Sequence, residues 1–359
     1  MPQNSTAPSI PHLHGRRLTI RADAGPTIGT GHVMRCLALA EGWREAGGAV
    51  TLASRDLPGG LITRAENLGV TLEPAGDDSD GAWAEGADLA VIDGWAFTAG
   101  HLAAAKARAP LLVIDDTAER SSIPADLLLN PNVYAEAGAY VGRTEGRLLI
   151  GPAFALLRGE FTEPPPERAY PPVARHLLLL LGGADPIGAS TAALAAARAA
   201  RATEPGIQRI TLVVGAANPA RAQLTTQTAD DPAADDPAVD DPAIVVRYDV
   251  TAMAPLMDTA DLVVSAGGST VLELAARGVP MLLGALIAEE EPVITTMQAL
   301  GAARALGRFD SFDATRMSDA ILALARDRAA RRALSEVART IVDGRGVERV
   351  IAACVETPP

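Results

Sequence analysis

The stretch Arg21-Ala-Asp-Ala-Gly-Pro-Thr-Ile-Gly-Thr-Gly-His-Val-Met-Arg35 crowds Arg21, Asp23, His32 and Arg35 around Gly25, Gly29 and Gly31. It follows an apolar-alternating run and opens a helical one. Glycines at such a corner let the backbone approach a ligand closely. A helix start leaves unpaired N–H groups and the positive end of the macrodipole, and both favour an anion. His32 falls at that start, where a neutral imidazole suits a general base. Taken alone, Gly-Thr-Gly-His is also what a tight turn with a capping histidine looks like. The density of polar groups at one strand end argues for chemistry instead.

Two further strand–glycine–helix corners lie in the second half. Leu181-Gly182-Gly183-Ala184-Asp185-Pro186 fits an anion site and an ordinary βα turn equally well. Ser265-Ala266-Gly267-Gly268-Ser269-Thr270-Val271-Leu272-Glu273 is richer. Gly267 and Gly268 open the turn, and Ser269 and Thr270 can cap the helix and donate to phosphate. Glu273 lies at i, i+4 from Ser269 and so shares its face. A carboxylate there can accept from both hydroxyls of a ribose, or serve as the glutamate of a capping box. Asp93, Asp115 and Asp116 also end strand-like runs, where open α/β sheets bind ligands. Each of these, taken singly, reads as a solvated turn aspartate.

These corners need strands and helices to position them, and the chain supplies both. Apolar strand-like runs at Arg17–Ala24, Ala49–Ser54, Asp88–Asp93, Pro110–Asp115, Asp126–Leu129 and Arg147–Ile150 are interspersed with helical stretches such as His32–Ala46. A second series runs from His176–Leu181 through Ile210–Val214, Ile244–Tyr248, Leu262–Ser265 and Pro280–Leu283, with helices at Ser190–Arg201, Thr270–Arg277, Ser318–Ala325 and Arg331–Asp343. Continuous apolar strands suit parallel sheets buried on both faces. The expectation is an α/β protein of two doubly wound, Rossmann-like domains facing a cleft. The proline cluster Glu163-Pro-Pro-Pro-Glu167 with Pro171-Pro172 can be neither helix nor central strand. It predicts a linker at 163–173 between domains at 16–162 and 174–343, with a disordered tail at 1–15 and a C-terminal helix end and tail at 344–359.

Composition narrows the function. The 359 residues are 48% hydrophobic and carry a net charge of −13. Six of the acidic residues lie in the repeat ADDPA-ADDPA-VDDPA at Ala229–Ala243, which can bury almost nothing and predicts a disordered loop within 226–243. It lacks the turn glycines of a calcium loop. No basic stripe with interleaved aromatics is present, so nucleic acid is not expected as a partner. No apolar run reaches the roughly 18 residues needed to span a bilayer. Two cysteines, Cys36 and Cys354, can build neither a metal cluster nor a disulfide framework. A cytoplasmic, monomeric protein without metal or cofactor is expected.

Together, RADAGPTIGTGHVMRCLALA (Arg21–Ala40), DLLLNPN (Asp126–Asn132), LLIGPAFALLRGEF (Leu148–Phe161), LLLLGGADP (Leu178–Pro186) and VSAGGSTVLELAARGVPMLL (Val264–Leu283) resemble the UDP-2,4-diacetamido-2,4,6-trideoxy-β-L-altropyranose hydrolase family of pseudaminic acid biosynthesis, the PseG family. The last segment is shared with MurG-like glycosyltransferases. The resemblance implies a GT-B fold, a UDP-sugar substrate, and inverting hydrolysis at the anomeric carbon that releases UDP. It implies that His32 activates or orients the attacking water. Arg21, Asp23, Gly29, Gly31 and Arg35 would then face the sugar. Gly182, Gly183, Gly267, Gly268, Ser269 and Thr270 would hold the diphosphate, and Glu273 the ribose. There is one departure: where the family carries Asn-Gln, this chain has Ala288-Glu289-Glu290-Glu291-Pro292. Amides can donate to a sugar or phosphate, whereas ionised carboxylates only accept. A glycosyltransferase of the same fold and a catalytically silent nucleotide-sugar-binding protein are the rival readings. The absence of an apolar or basic patch between Leu57 and Ala75 favours the hydrolase over a membrane-docking transferase, and the glutamates favour the silent protein.

Overall fold

The computed structural model describes residues 11–25, 28–215, 218, 243–248, 250–311 and 313–356. The first ten residues of the expected tail, and the acidic repeat apart from Ala243, lie outside the described residues. The chain divides into two compact units, Met1–Thr162 with Asp343–Pro359, and Glu163–Val342.

The first unit holds β1 (Arg17–Ala22), β2 (Ala49–Ser54), β3 (Thr71–Pro74), β4 (Leu89–Asp93), β5 (Leu111–Ile114), β6 (Leu127–Asn130) and β7 (Arg147–Ile150). They form one seven-stranded sheet in the order β3-β2-β1-β4-β5-β6-β7, and every pairing is parallel. Every residue of β4, β5 and β6 is buried. That is why these runs read as unbroken apolar stretches: a central parallel strand is covered on both faces. The strand order reverses between β1 and β4. The chain leaves β1 into α1 (Gly31–Glu45) and leaves β4 toward α3 (Ala99–Lys106), with α2 (Gly59–Asn67) between β2 and β3. A crevice at such a reversal, outside the carboxyl ends of the strands, is where doubly wound sheets bind ligands.

Residues 11–15 are more ordered than expected. Leu13, placed in the expected tail, is wholly buried, and its N–H donates to the Ala46 carbonyl at 2.8 Å. In the expected C-terminal helix end and tail, a helix spans Gly346–Glu356 and belongs to this unit rather than to its sequence neighbours. Val347, Val350, Ile351 and Cys354, at i, i+3, i+4 and i+7, enter the same core as α1. Gly42 of α1 is glycine because the helix lies so close: a Cβ there would come 2.6 Å from Val347 Cγ1.

The second unit is built the same way. Its strands are β8 (His176–Leu180), β9 (Arg209–Val214), β10 (Ile244–Tyr248), β11 (Leu262–Ala266), β12 (Met281–Ala285) and β13 (Arg304–Arg308). The sheet order is β10-β9-β8-β11-β12-β13, again all parallel. Its helices among the described residues are α4 (Ala189–Thr203), α5 (Met253–Thr259), α6 (Thr270–Arg277), α7 (Glu291–Ala299), α8 (Ala314–Arg326) and α9 (Arg328–Ile341); the C-terminal helix Gly346–Glu356 is numbered α10.

The proline-rich stretch is not a free linker but is tied to this second unit. Arg277 Nη1 donates to the Glu163 carbonyl at 2.7 Å, Arg331 Nη2 donates to the Pro171 carbonyl, and Tyr170 Oη donates to Ser335 Oγ at 2.7 Å. Prolines cannot donate, but carbonyls along the stretch accept, and arginines of α6 and α9 supply the donors.

The role of α10 is testable. Ile351 is completely buried, so Ile351→Ala should cost roughly 2–5 kcal/mol of stability, read by urea unfolding. An unchanged midpoint would show that α10 does not hold the first unit together.

Candidate active site

The carboxyl ends of β4, β5 and β6 converge on the start of α1. His32 is the second residue of that helix and is buried. Its Nδ1 lies 2.7 Å from Oδ1 of Asp93, the last residue of β4. An imidazole N–H donated to a carboxylate fixes the tautomer and leaves Nε2 as the acceptor. Arg35, one turn along α1, binds Asp93 through both Nε and Nη2, at 2.6 and 2.7 Å. The same guanidinium binds Asp116 through Nη1 and Nη2, both at 2.8 Å. Two bidentate forks on one arginine are the strongest form of this contact. Cys36 Sγ adds a longer contact to Asp93 Oδ2 at 3.6 Å. Burial and the Asp93 charge push that thiol well up, so it stays protonated and donates.

Asp116 is fixed in turn from β6. Asn132 Nδ2 donates to its Oδ1 at 2.7 Å, while Asn130 Nδ2 and Tyr134 Oη donate to its carbonyl at 3.1 and 3.0 Å. Burial alone would raise both Asp93 and Asp116. The Arg35 guanidinium outweighs it and holds each carboxyl below the usual carboxylate range, Asp93 most strongly. The Trp95 ring, two residues past β4, stands perpendicular to the His32 ring, with 5.0 Å between centroids, and is half exposed.

Several residues expected to touch substrate are engaged with protein groups in the structure. Arg35 has its donors committed to two carboxylates. Arg21 is fully buried. It binds Asp78 at 2.7 and 3.2 Å and Asp23 at 2.7 and 2.9 Å, and lies 5.0 Å over the Phe97 ring. Asp23 in turn accepts from the Arg55 N–H at 2.9 Å. Arg21 and Asp23 therefore form an internal ion cluster. Gly29 closes the loop: its N–H donates to the Gly25 carbonyl at 2.8 Å, and its φ of +81° is one that glycine tolerates best. Gly31 is the first residue of α1. Asp93, Asp116, Asn130, Asn132 and Trp95 complete the site. Asp93 and Asp116 are not the solvated turn residues that each suggests singly.

In the second unit the two glycine corners differ. At the β8–α4 turn, Asp185 is buried and held at a positive φ of 42°. Its carboxylate accepts from the Ala189 and Ser190 N–H groups at 2.7 and 2.9 Å. The anion-binding end of α4 is thus already capped from within, beside Gly182 and Gly183. At the β11–α6 turn, Ser269 takes the N-cap position of α6 but makes no side-chain capping bond. Its hydroxyl is exposed, and the Ser269 half of a capping box is not formed. Glu273 lies one turn in and is partly exposed. Gly267 is buried beneath the segment after β12: a Cβ there would come 2.9 Å from Glu290 Cβ and Ile294 Cγ1.

Among the described residues, no group of three or more His, Cys, Asp and Glu side chains could hold a metal ion, and no helix is long and apolar enough to cross a membrane.

Two Rossmann-like units with parallel sheets define the class: the chain has the fold of the GT-B glycosyltransferases. MurG of Acinetobacter baumannii superposes with a TM-score of 0.60 at 15% identity, over 95% of this chain and 99% of that one. The spinosyn rhamnosyltransferase SpnG in complex with thymidine diphosphate gives 0.58 at 17%, over 94% and 100%. Staphylococcus aureus MnaA with UDP gives 0.61 at 12%, over 94% and 95%. No protein-family model matches the chain. In sequence it is similar to the spore coat polysaccharide biosynthesis protein SpsG of Bacillus subtilis (strain 168), 25% identical over 346 residues, covering 93% of this chain and 96% of SpsG.

The buried charge cluster sets the response to acid. A carboxyl whose folded pKa is depressed contributes stability that is complete above its unfolded value, about 3.9 for aspartate, and is lost as pH falls through the folded value. Stability in urea should therefore hold from about pH 7 to 5 and fall steadily below about 4. Asp93→Asn strands half of the Arg35 charge, should cost roughly 3–5 kcal/mol near neutrality, and should flatten the acid limb. An acid limb as steep as the parent's would remove Asp93 from this role.

Proposed function

We propose that the protein is a hydrolase that cleaves a UDP-linked diacetamido-trideoxy sugar at its anomeric carbon and releases UDP, as a step of nonulosonic (pseudaminic) acid biosynthesis. The observation that carries this reading is the His32–Asp93 pair at the strand reversal, clamped by Arg35. With Nδ1–H given to Asp93, His32 Nε2 can take a proton from water as the water oxygen bonds to the anomeric carbon. The bond from that carbon to the diphosphate oxygen breaks, its electron pair stays on the diphosphate, and UDP departs. Attack opposite the leaving group inverts the configuration. Asp93 stabilises the imidazolium that forms, and Arg35, itself held by Asp116, keeps Asp93 in place.

The second unit supplies the nucleotide end of this reading. Asp185 already satisfies the start of α4, whereas the start of α6 has an exposed serine hydroxyl and no side-chain cap. The diphosphate is therefore assigned to Gly267, Gly268, Ser269 and Thr270, where helix amides and hydroxyls favour an anion. Glu273 is assigned to the ribose hydroxyls. Gly182 and Gly183 keep the role of a tight turn. The resemblance to the hydrolase family supports the sugar assignment, and the similarity to a spore coat polysaccharide biosynthesis protein supports a place in surface-sugar metabolism.

A second reading, transfer of the sugar to an acceptor hydroxyl, is favoured by the fold neighbours, several of which are glycosyltransferases. Water is preferred because His32 is only 6% exposed and the Trp95 ring stands perpendicular to its own, 5.0 Å between centroids. That crowding suits a small nucleophile.

Incubation with the UDP-sugar and no acceptor should release UDP. His32→Ala should slow the release by about 2–4 orders of magnitude, as loss of a general base does. Release that requires an added acceptor would favour the transferase, and release that His32→Ala leaves intact would remove His32 from the mechanism. Glu273→Ala should weaken UDP binding more than it slows turnover. UDP affinity that does not change, measured by calorimetry, would overturn the ribose assignment.

A further inference from the structure

The segment after β12 brings a carboxylate onto the same turn to which the diphosphate is assigned. Glu290 ends a short turn, Ala288–Glu290, and immediately precedes α7. Its Oε2 accepts from the Leu286 N–H at 2.8 Å. The amides of Gly267 and Ile287 also favour its charged form, yet burial and neighbouring Glu289 push its pKa up. The side chain packs so closely on the turn that Gly267 has no room for a Cβ, and the Cβ position of Gly268 is 3.5 Å from Glu290 Oε1. The neighbouring glutamates are placed differently. Glu291 pairs with Arg308 at 3.2 Å, and Glu289 is exposed. Among the described residues, Glu290 has no ion-pair partner. Its charge therefore faces the glycine turn without a cation to neutralise it.

We infer that Glu290 is a specificity residue: an internal competing anion that weakens the hold of the β11–α6 turn on a free nucleoside diphosphate more than on its sugar ester, and so favours product release. This rests on the assignment of the diphosphate to that turn. The discrimination follows from charge. The sugar ester masks the terminal phosphate, whereas hydrolysis frees an oxygen that ionises with a pKa of about 6. The product thus presents more negative charge than the substrate to a fixed carboxylate, and like charges at short range inside a protein repel strongly.

The test is calorimetric titration of UDP, UDP-N-acetylglucosamine and uridine into the full-length protein and into Glu290→Gln and Glu289→Gln. Glutamine keeps an oxygen that can accept from Leu286, and Glu290→Ala checks the direction with the charge and the acceptor both removed. The expected result is UDP binding tighter by on the order of tenfold in both Glu290 variants. UDP-N-acetylglucosamine should gain less, uridine should be unchanged, and Glu289→Gln should stay within about twofold of the parent. UDP affinity that is unchanged or weaker in the Glu290 variants overturns the inference while leaving the nucleotide assignment standing. Equal gains for UDP and its sugar ester, or an equal gain in Glu289→Gln, overturn it as well. Failure of every form to bind UDP or uridine overturns the nucleotide assignment and this inference together.

Discussion

The interaction on which the proposed chemistry of the first unit depends is the double fork of Arg35 on Asp93 and Asp116. Two carboxylates at the ends of adjacent central strands would repel each other and pay heavily for their burial. A single guanidinium from α1 resolves both problems, because its planar array of donors matches two carboxylates at once. The cluster still carries more negative than positive charge, and the Nδ1–H of His32 donates to Asp93. The orientation of the histidine is thus fixed by a hydrogen bond to a buried carboxylate. It also explains the register: β4 and β5 are paired in parallel, with Asp93 opposite Ile114, so their polar ends arrive side by side at the start of α1.

Much of this scaffold was legible in the chain, and what was not has physical reasons. The central strands announce themselves because both of their faces are covered. The edge strands β3 and β13 do not: β3 has three of its four residues exposed, and β13 carries arginines and a glycine. The helix α10 shows an apolar stripe, but nothing local says that it packs against α1, far away in sequence. The proline-rich stretch looks like a linker by composition. It is held to the second unit by arginines whose partners are backbone carbonyls, and carbonyls leave no trace in a sequence pattern.

The site follows the same rule. His32 stood out because a glycine corner surrounds it. Asp93 lies 61 residues further along, and an aspartate at a strand end is common, so its partnership emerges only once the strands are side by side. Arg21 and Asp23 show the converse. Polar residues beside a glycine loop suggested contact with a ligand, yet Asp78, which no motif flags, draws Arg21 inward and completes a cluster that supports the loop from beneath. Spacing identified the corner; burial decided which of its charges are structural.

The two glycine turns of the second unit separate a scaffold from a function. At one, Asp185 settles into the helix start and makes two short bonds to its amides, so the carboxylate stabilises the fold. At the other, Glu290 takes amides from the segment around it, and the serine at the helix start makes no cap. The same side-chain chemistry therefore closes one corner and leaves the helix start at the other without a side-chain cap, where the diphosphate is proposed to bind. Solved structures at 12–17% identity share the architecture that creates both corners, but architecture alone does not choose among chemistries. The choice rests on local features: which helix start is capped, where an unneutralised carboxylate lies, and how much space Trp95 leaves around His32.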